Sequence, residues 1–252
     1  MRYKVFISCL YELAGTALLV FIGLSVVIFI NGDGSAVKTL IPSGIARRYI
    51  TGFLFGSTGC AITLSPVGKI SGAHINPTVS FAFYLKGKMK INHTIAYIIS
   101  QVTGALIGAC PLLLWRQQGA SVMYGATIPG EHGTWIAFLG EMITSFFLIA
   151  GIFFFTGHRL LRKYTPYMIP FLFCIMVGLE GAISGTSTNA ARSFGPAVVA
   201  NVWTAHWIYW IAPFAGAIFA VLFFNTAWAK KRFTIIEARL AYFHQHLFHS
   251  TH

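Results

Sequence analysis

The sequence predicts an all-α membrane protein with six transmembrane helices and two re-entrant half-helices, arranged as an inverted repeat. Three observations predict this fold class: a very apolar composition, six long apolar segments, and a motif that occurs once in each half. Of the 252 residues, 56% are hydrophobic and only 10% are charged, whereas soluble domains carry about 25% charged residues. The chain is therefore expected to lie in a lipid bilayer.

Six apolar segments are each long enough for the roughly 20 residues that a membrane-spanning helix needs. The first is longer than the apolar core of a signal peptide and no small-residue cleavage site follows it, so we expect it to be retained. A more polar tail, residues 230–252, follows the last segment. The predicted spans cover residues 5–30, 44–66, 92–115, 135–157, 167–185 and 206–229.

The net charge of +12 is concentrated in particular connectors, which in a membrane protein indicates orientation and not nucleic-acid binding. Most of the 18 Lys and Arg residues lie on the side that holds both termini. We therefore predict a multi-pass protein of a cell membrane, plasma or inner, with both termini in the cytoplasm. The four cysteines occur singly, without C-x-x-C spacing, so no metal site and no cofactor are expected.

The two halves of the chain share landmarks in the same order, which indicates an internal repeat. Each half opens with an acid inside an apolar run, Glu12 and Glu141. Each then carries the pattern Ser-Gly-x-x-x-Asn, ending at Asn76 and Asn189, which are 113 residues apart (189 − 76). Because three spans per half is an odd number, the second half must enter the membrane from the opposite side.

The apolar stretches after the two asparagines, residues 76–85 and 189–201, are too short to span a bilayer and predict re-entrant half-helices. Loops at membrane depth are tolerated only where protein buries them or water lines them, so a cavity is expected. Asparagine is a favoured N-cap residue, which places Asn76 and Asn189 at the starts of the half-helices. Two helix N-termini that meet in the membrane create a positive potential, which repels cations and protons.

The segments SGAHINPTV and SGTSTNAARSFGPAVV resemble the aquaporin (major intrinsic protein) family, and the resemblance covers nearly the whole chain. It implies a right-handed six-helix bundle, a single-file pore in each subunit and a homotetramer. It also implies that Asn76 and Asn189 are the paired pore asparagines and that Arg192 belongs to the outer constriction. The sequence departs from the usual Asn-Pro-Ala, with Asn-Pro-Thr at residues 76–78 and Asn-Ala-Ala at residues 189–191. The resemblance makes residues 1–229 one channel domain, with repeats of about 5–115 and 135–229.

The same resemblance indicates the other members of the selectivity filter. Val177 stands where water-selective members usually have histidine, and Thr186 is the loop position three residues before Asn189. On the second helix the match falls on either Phe55 or Gly56, because the segment at residues 64–68 carries one extra residue. Phe55 would make a narrow filter, whereas Gly56 would admit glycerol, ammonia or another small neutral solute.

Two other family markers bear on the solute. Glycerol facilitators usually have an aspartate directly after the arginine and a basic residue four positions further on, where this chain has Ser193 and Ala197. They also tend to have Pro-Leu in the last helix, where this chain has Tyr209 and Trp210. Both differences favour water as the solute.

The acids inside the membrane have two interpretations. Ionisable groups at this depth are often proton carriers, but the symmetry of Glu12 and Glu141 favours a structural role. In the family, the matching acids accept hydrogen bonds from the re-entrant loops and hold loop carbonyls toward the pore. Glu180 has no counterpart in the first half, and it is interpreted either as a similar support for the second loop or as part of the outer vestibule.

Together these features predict a passive channel for water that excludes ions and protons. A facilitator of glycerol, ammonia or another small neutral solute on the same fold is the alternative. An ion-coupled secondary transporter also uses inverted repeats and broken helices, but it needs ionisable residues where the half-helices meet. No metal-ligand cluster or pairing of a nucleophile with a base indicates an enzyme.

Overall fold

The structure is a computed structural model that describes residues 2–226, and within that range every regular element is a helix. The tail predicted at residues 230–252 and the last residues of the sixth predicted span lie outside the described residues. Three short 3-10 helices are Cys110–Trp115, Met123–Gly125 and Arg162–Tyr164. The α-helices are α1 (Arg2–Asn31), α2 (Ala36–Leu40), α3 (Gly44–Leu64), α4 (Pro66–Ser71), α5 (Pro77–Leu85), α6 (Ile91–Ala109), α7 (Arg116–Ala120), α8 (Thr134–Gly157), α9 (Thr165–Glu180), α10 (Ala190–Ala200) and α11 (Ile208–Asn225).

All six predicted spans are present as helices. By length and composition alone, the four helical segments Tyr3–Asn31, Ile91–Ala120, Thr134–Gly157 and Ile208–Asn225 are able to cross a membrane. The other two spans, α3 and α9, pack extensively against each other. α9 has only 16 residues and ends before the predicted boundary at residue 185, because the chain turns into the second re-entrant loop after Glu180.

The helices pack in pairs that repeat between the two halves. α1 packs against α6, and the equivalent helices of the second half, α8 and α11, pack in the same way. Each half-helix contacts the last span of the other half, so α5 lies against α11 and α10 lies against α6. The two halves are therefore joined through α3 with α9 and through both half-helices.

Glycine allows the paired spans to approach closely. A side chain at Gly104 of α6 would overlap the backbone of Leu13 on α1, and one at Gly216 of α11 would overlap the backbone of Met142 on α8. Small residues at such positions are the usual means of packing membrane helices, because lipid provides no hydrophobic drive for their association. Small residues on α6 and α11 thus form part of the contact surfaces within each half.

The half-helices begin at the predicted asparagines. Asn76 has extended backbone angles, and its side-chain oxygen accepts from the N–H of Thr78 at 2.8 Å. Asn189 is also extended, and its side-chain oxygen accepts from the N–H of Arg192 at 3.2 Å. These bonds satisfy N–H groups that have no partner inside the helix. α10 ends at Ala200, and the residue that follows it, Asn201, adopts the left-handed conformation with a φ of 52°.

Replacement of Ala190 by proline should stabilise the protein. Ala190 is the first residue of α10 and matches Pro77 at the start of α5. Asn189 before it has a φ of −148° and a ψ of 103°, the extended geometry that a residue before proline requires. We expect Ala190→Pro to raise the free energy of unfolding by roughly 0.4–1 kcal/mol, measured by thermal unfolding in detergent. A lower midpoint would mean that the backbone at Ala190 needs a geometry or hydrogen bond that proline cannot supply.

Candidate functional site

The two loops that lead into the half-helices have the same backbone conformation. Three matched pairs of residues have positive φ angles, and each pair differs by no more than 12°. Positive φ is unfavourable for residues other than glycine unless the surroundings fix it. The pairs are Gly72 (90°) with Gly185 (88°), Ala73 (48°) with Thr186 (50°), and Ile75 (41°) with Thr188 (53°).

Glu12 binds the first loop from α1. Its two carboxylate oxygens accept from the backbone N–H groups of His74, at 2.9 Å, and Ile75, at 2.6 Å. The side-chain amide of Gln101 on α6 donates to the same carboxylate at 2.7 Å. Glu12 is completely buried, and hydrogen bonds to a buried carboxylate are stronger than bonds between neutral groups. It therefore holds the loop in its strained conformation.

Glu141 binds the second loop in the same way from α8. Its carboxylate accepts from the backbone N–H groups of Ser187, at 2.6 Å, and Thr188, at 2.8 Å. The hydroxyl of Ser184 donates to it at 2.6 Å. The two acids therefore contact equivalent atoms of equivalent loops.

The side chains of the two asparagines cross between the loops. The Nδ2 group of Asn76 donates to the carbonyl of Thr188 at 2.9 Å, and the Nδ2 group of Asn189 donates to the carbonyl of Ile75 at 2.9 Å. A carboxamide nitrogen carries two hydrogens, so each asparagine retains one N–H for a further acceptor. The N-terminal ends of α5 and α10 are thereby joined directly.

A cavity of about 180 Å³ lies on one side of this junction. Four of the residues predicted for the filter line it together: Phe55, Val177, Thr186 and Arg192. Gly56 points elsewhere, since a side chain there would overlap the backbone of Ile169 and Pro170 on α9. The structure thus places Phe55 at the cavity wall and Gly56 in the contact between α3 and α9.

Arg192 is buried at the start of α10, with only 5% of its surface exposed. Its Nη1 group donates to the carbonyl of Gly125 at 2.8 Å. Its guanidinium carbon lies 5.6 Å from the centre of the Phe55 ring, within the range of a cation–π interaction. A second cationic side chain, Arg48, also lines the cavity. The wall therefore combines fixed N–H donors and positive charge with an aromatic face.

Two tyrosines bind the loops from the last span of each half, and the sequence predicted this contact for neither of them. The hydroxyl of Tyr97 on α6 donates to the carbonyl of Ser71 at 2.9 Å, and that of Tyr209 on α11 donates to the carbonyl of Ser184 at 2.7 Å. The signal was present, because these tyrosines are 112 residues apart (209 − 97), close to the spacing of the asparagines.

The segment between the halves also contributes to the site. Besides Gly125, it supplies Thr127, whose hydroxyl lies 2.7 Å from that of Ser193 on α10. This segment has no counterpart in the internal repeat, so no pattern in the sequence indicated its contribution. Among residues 2–226, no group of three or more His, Cys, Asp or Glu residues is placed to hold a metal ion.

Comparison with known proteins identifies the family. The family model of the major intrinsic proteins matches residues 2–224. The chain belongs to the major intrinsic protein family. Its members are passive channels for water or small solutes, which are not enzymes, so this chain is a channel of that general class.

Relatives and solved structures agree with this assignment. The chain is 32% identical to aquaporin-8 of Notomys alexis over 85% of its own length and 79% of that protein. It is 34% identical to aquaporin TIP4-3 of Zea mays over 87% of its length and 86% of that protein. The X-ray structure of the aquaglyceroporin from Plasmodium falciparum superposes with a TM-score of 0.73, covering 90% of this chain and 98% of that one, at 18% identity. That likeness supports the fold, with six spans and two half-helices in an inverted repeat.

Proposed function

We propose that this major intrinsic protein conducts water passively and excludes glycerol, ions and protons. The observation that carries the proposal is the shared cavity wall of Phe55, Val177, Thr186 and Arg192. The Phe55 ring and the Arg192 guanidinium are bulky groups that limit the width of the passage between them. Arg192 donates hydrogen bonds that replace part of the hydration a permeating molecule loses. Water is the neutral solute that this combination fits best.

The exclusion of ions follows from the charges beside the path. Arg192 carries a fixed positive charge in a buried setting, and the N-terminal ends of α5 and α10 add the positive ends of their helix dipoles. Asn76 and Asn189 present N–H donors at the same level. A cation or a hydrated proton meets a repulsive potential there, whereas a neutral molecule does not.

The acids Glu12 and Glu141 support this path without carrying protons. Each accepts two loop N–H groups, so these N–H groups are bound by the carboxylates and are not offered to the permeating solute. A proton relay would need titratable groups that exchange protons along the path, and these two carboxylates are instead bound behind the loops. The proposed role of both is structural.

A second candidate is a facilitator of glycerol, ammonia or another small neutral solute. The position of Val177 favours it, because valine is smaller than the histidine usual in water-selective members and donates no hydrogen bond. Phe55 opposes it, since its ring occupies the wall that a wider filter would leave open. The two candidates therefore differ in the solute that passes Phe55 and Val177.

The assembly and orientation follow the family and the charge pattern. We propose a homotetramer, in which apolar outer faces such as those of Phe147 and Leu222, both more than half exposed, contact neighbouring subunits or lipid.

We also propose that both termini lie in the cytoplasm of a plasma or inner membrane, because the basic connectors Lys86–Lys90 and Arg159–Lys163 lie on the side where α1 begins.

Liposomes that contain the purified protein test the proposed function. We expect osmotic shrinkage, followed by stopped-flow light scattering, to be faster than in empty liposomes, while glycerol flux and the decay of a pH gradient stay at the empty-liposome level. Phe55→Ala is the matched variant, since removal of the ring should admit glycerol and retain water flow. Glycerol flux through the unchanged protein would favour the second candidate, and rapid loss of the pH gradient would contradict both.

A further inference from the structure

The end of α9 carries a buried acid, Glu180, that has no equivalent in the first half. Glu180 is the last residue of α9, and only 7% of its surface is exposed. Its Oε2 atom accepts a hydrogen bond from the hydroxyl of Thr186. Its Oε1 atom has no hydrogen-bond partner among residues 2–226 and faces Gly140 of α8, where a side chain would overlap the carboxyl group. The carboxyl therefore acts on the second loop through Oε2.

Thr186 connects this acid to the candidate filter. Thr186 lines the cavity beside Arg192, and Glu180 lies behind it. A threonine hydroxyl has one hydrogen to donate and two lone pairs that accept. Because the hydrogen is directed to Glu180, the hydroxyl can offer only lone pairs to a molecule in the cavity.

The other filter side chains supply no acceptor. A guanidinium only donates hydrogen bonds, so Arg192 is a donor at every nitrogen. Phe55 and Val177 are hydrocarbon side chains that offer no conventional hydrogen bond. Thr186 is thus the filter side chain that can accept a hydrogen bond from a permeating molecule. Its hydroxyl acts only as an acceptor toward the cavity as long as its own hydrogen is bound to Glu180.

We propose that Glu180 is a positioning residue that fixes Thr186 as a hydrogen-bond acceptor, so that the filter has a donor at Arg192 and an acceptor at Thr186. The proposal rests on the proposed water conduction. A water molecule in such a filter accepts from Arg192 and donates to Thr186 at the same time. Without Glu180, the hydroxyl hydrogen of Thr186 is free to turn into the cavity, where it would compete with Arg192 for the same lone pairs of water.

Three substitutions test this arrangement in liposomes by stopped-flow light scattering. Glu180→Leu removes the acceptor behind Thr186, and we expect the water permeability per channel to fall roughly 2- to 10-fold, the effect of losing about one hydrogen bond. Glu180→Gln should rescue the permeability that Glu180→Leu loses, because its carboxamide oxygen can accept from Thr186 in the same place. Glu131→Leu, at an exposed acid between the halves, is the matched control and should conduct like the unchanged protein.

A double-mutant cycle with Thr186→Val separates a positioning role from a merely structural one. If Glu180 acts through the Thr186 hydroxyl, Glu180→Leu should change nothing further once that hydroxyl is absent. Gly140→Ala provides a second route, since its added methyl group should displace the carboxyl from Thr186 while Glu180 itself is kept. It should lower the water permeability in the same way, even if Glu180→Leu fails to fold.

The outcomes are distinct. Unchanged permeability in folded Glu180→Leu, independent effects of Glu180→Leu and Thr186→Val, or a loss in Glu180→Gln equal to that in Glu180→Leu would each overturn the inference. The last result would assign the effect to the charge of Glu180 and not to its acceptor oxygen. If the unchanged protein does not conduct water, the proposed function fails before the variants are compared.

Discussion

Replacement of Arg192 by valine should turn the channel into one that leaks cations and admits larger neutral solutes. Arg192 is 5% exposed and its guanidinium lies on the cavity wall next to the Phe55 ring, so one side chain supplies both bulk and charge. At about 4 Å and an effective dielectric constant of about 20, a cation is repelled by about 4 kcal/mol. Arg48 and the helix N-termini remain in the variant, so we expect cation leak to rise on the order of 100-fold, less than the full repulsion allows.

The measurement compares ion-sensitive dye signals, glycerol flux and water flux in liposomes with Arg192→Val or unchanged protein. Arg159→Val, at an exposed arginine remote from the cavity, is the matched control and should match the unchanged protein in all three. Water flow should survive in Arg192→Val, because valine is smaller than arginine and the substitution does not narrow the passage. Unchanged selectivity in a correctly folded Arg192→Val protein would remove this arginine from the filter.

Replacement of Glu141 by glutamine should destabilise the second re-entrant loop and stop water flow. Glutamine has one acceptor oxygen, whereas the carboxylate accepts from the N–H groups of Ser187 and Thr188 with different oxygens and from the Ser184 hydroxyl as well. The side-chain nitrogen of the introduced glutamine can only donate, so it would face a buried backbone N–H group with which it cannot form a hydrogen bond. Loss of a hydrogen bond to a charged group costs about 1.5–3 kcal/mol, so we expect the thermal midpoint in detergent to fall by roughly 5–10 °C.

Two variants complete this experiment. Glu12→Gln should have a similar effect, because Glu12 accepts equivalent bonds from His74 and Ile75. Glu131→Gln changes an exposed acid in the connector between the halves and should leave both midpoint and water flow unchanged. A Glu141→Gln protein with normal stability and normal water permeability would show that the loop keeps its conformation without the carboxylate.

The repeat made most of the fold and part of the site predictable. Paired acids and paired Ser-Gly-x-x-x-Asn patterns are local and carry a direct physical meaning, namely buried charges that need donors and N-caps that need helices. The structure has Glu12 and Glu141 at matched loop amides, and it has helices that begin directly after Asn76 and Asn189. The pair of acids and the pair of asparagines could therefore be predicted from their spacing and their side-chain chemistry alone.

Other parts of the site depend on helix rotation or on contacts distant in sequence. One residue corresponds to a rotation of about 100° around a helix, so Phe55 and Gly56 point to different neighbours. The sequence could not decide which of the two lines the filter, because a shift of one residue in the match exchanges them. The carbonyl of Gly125 reaches Arg192 from 67 residues away through a connector that contains a left-handed Tyr124. No periodic pattern in the sequence predicts the course of this connector, because its conformation is stabilised only by the residues packed around it.

The crossed asparagine bonds have a consequence for the biosynthesis of the channel. The side chain of Asn76 finds its acceptor on Thr188, and the carbonyl of Ile75 finds its donor on Asn189. A nascent chain can insert its first three spans long before these partners are translated, yet its first loop cannot be completed until they leave the ribosome. We therefore expect the junction between the two half-helices to form late, after both halves have been inserted, because each half supplies the hydrogen-bond partner that the other half's loop needs.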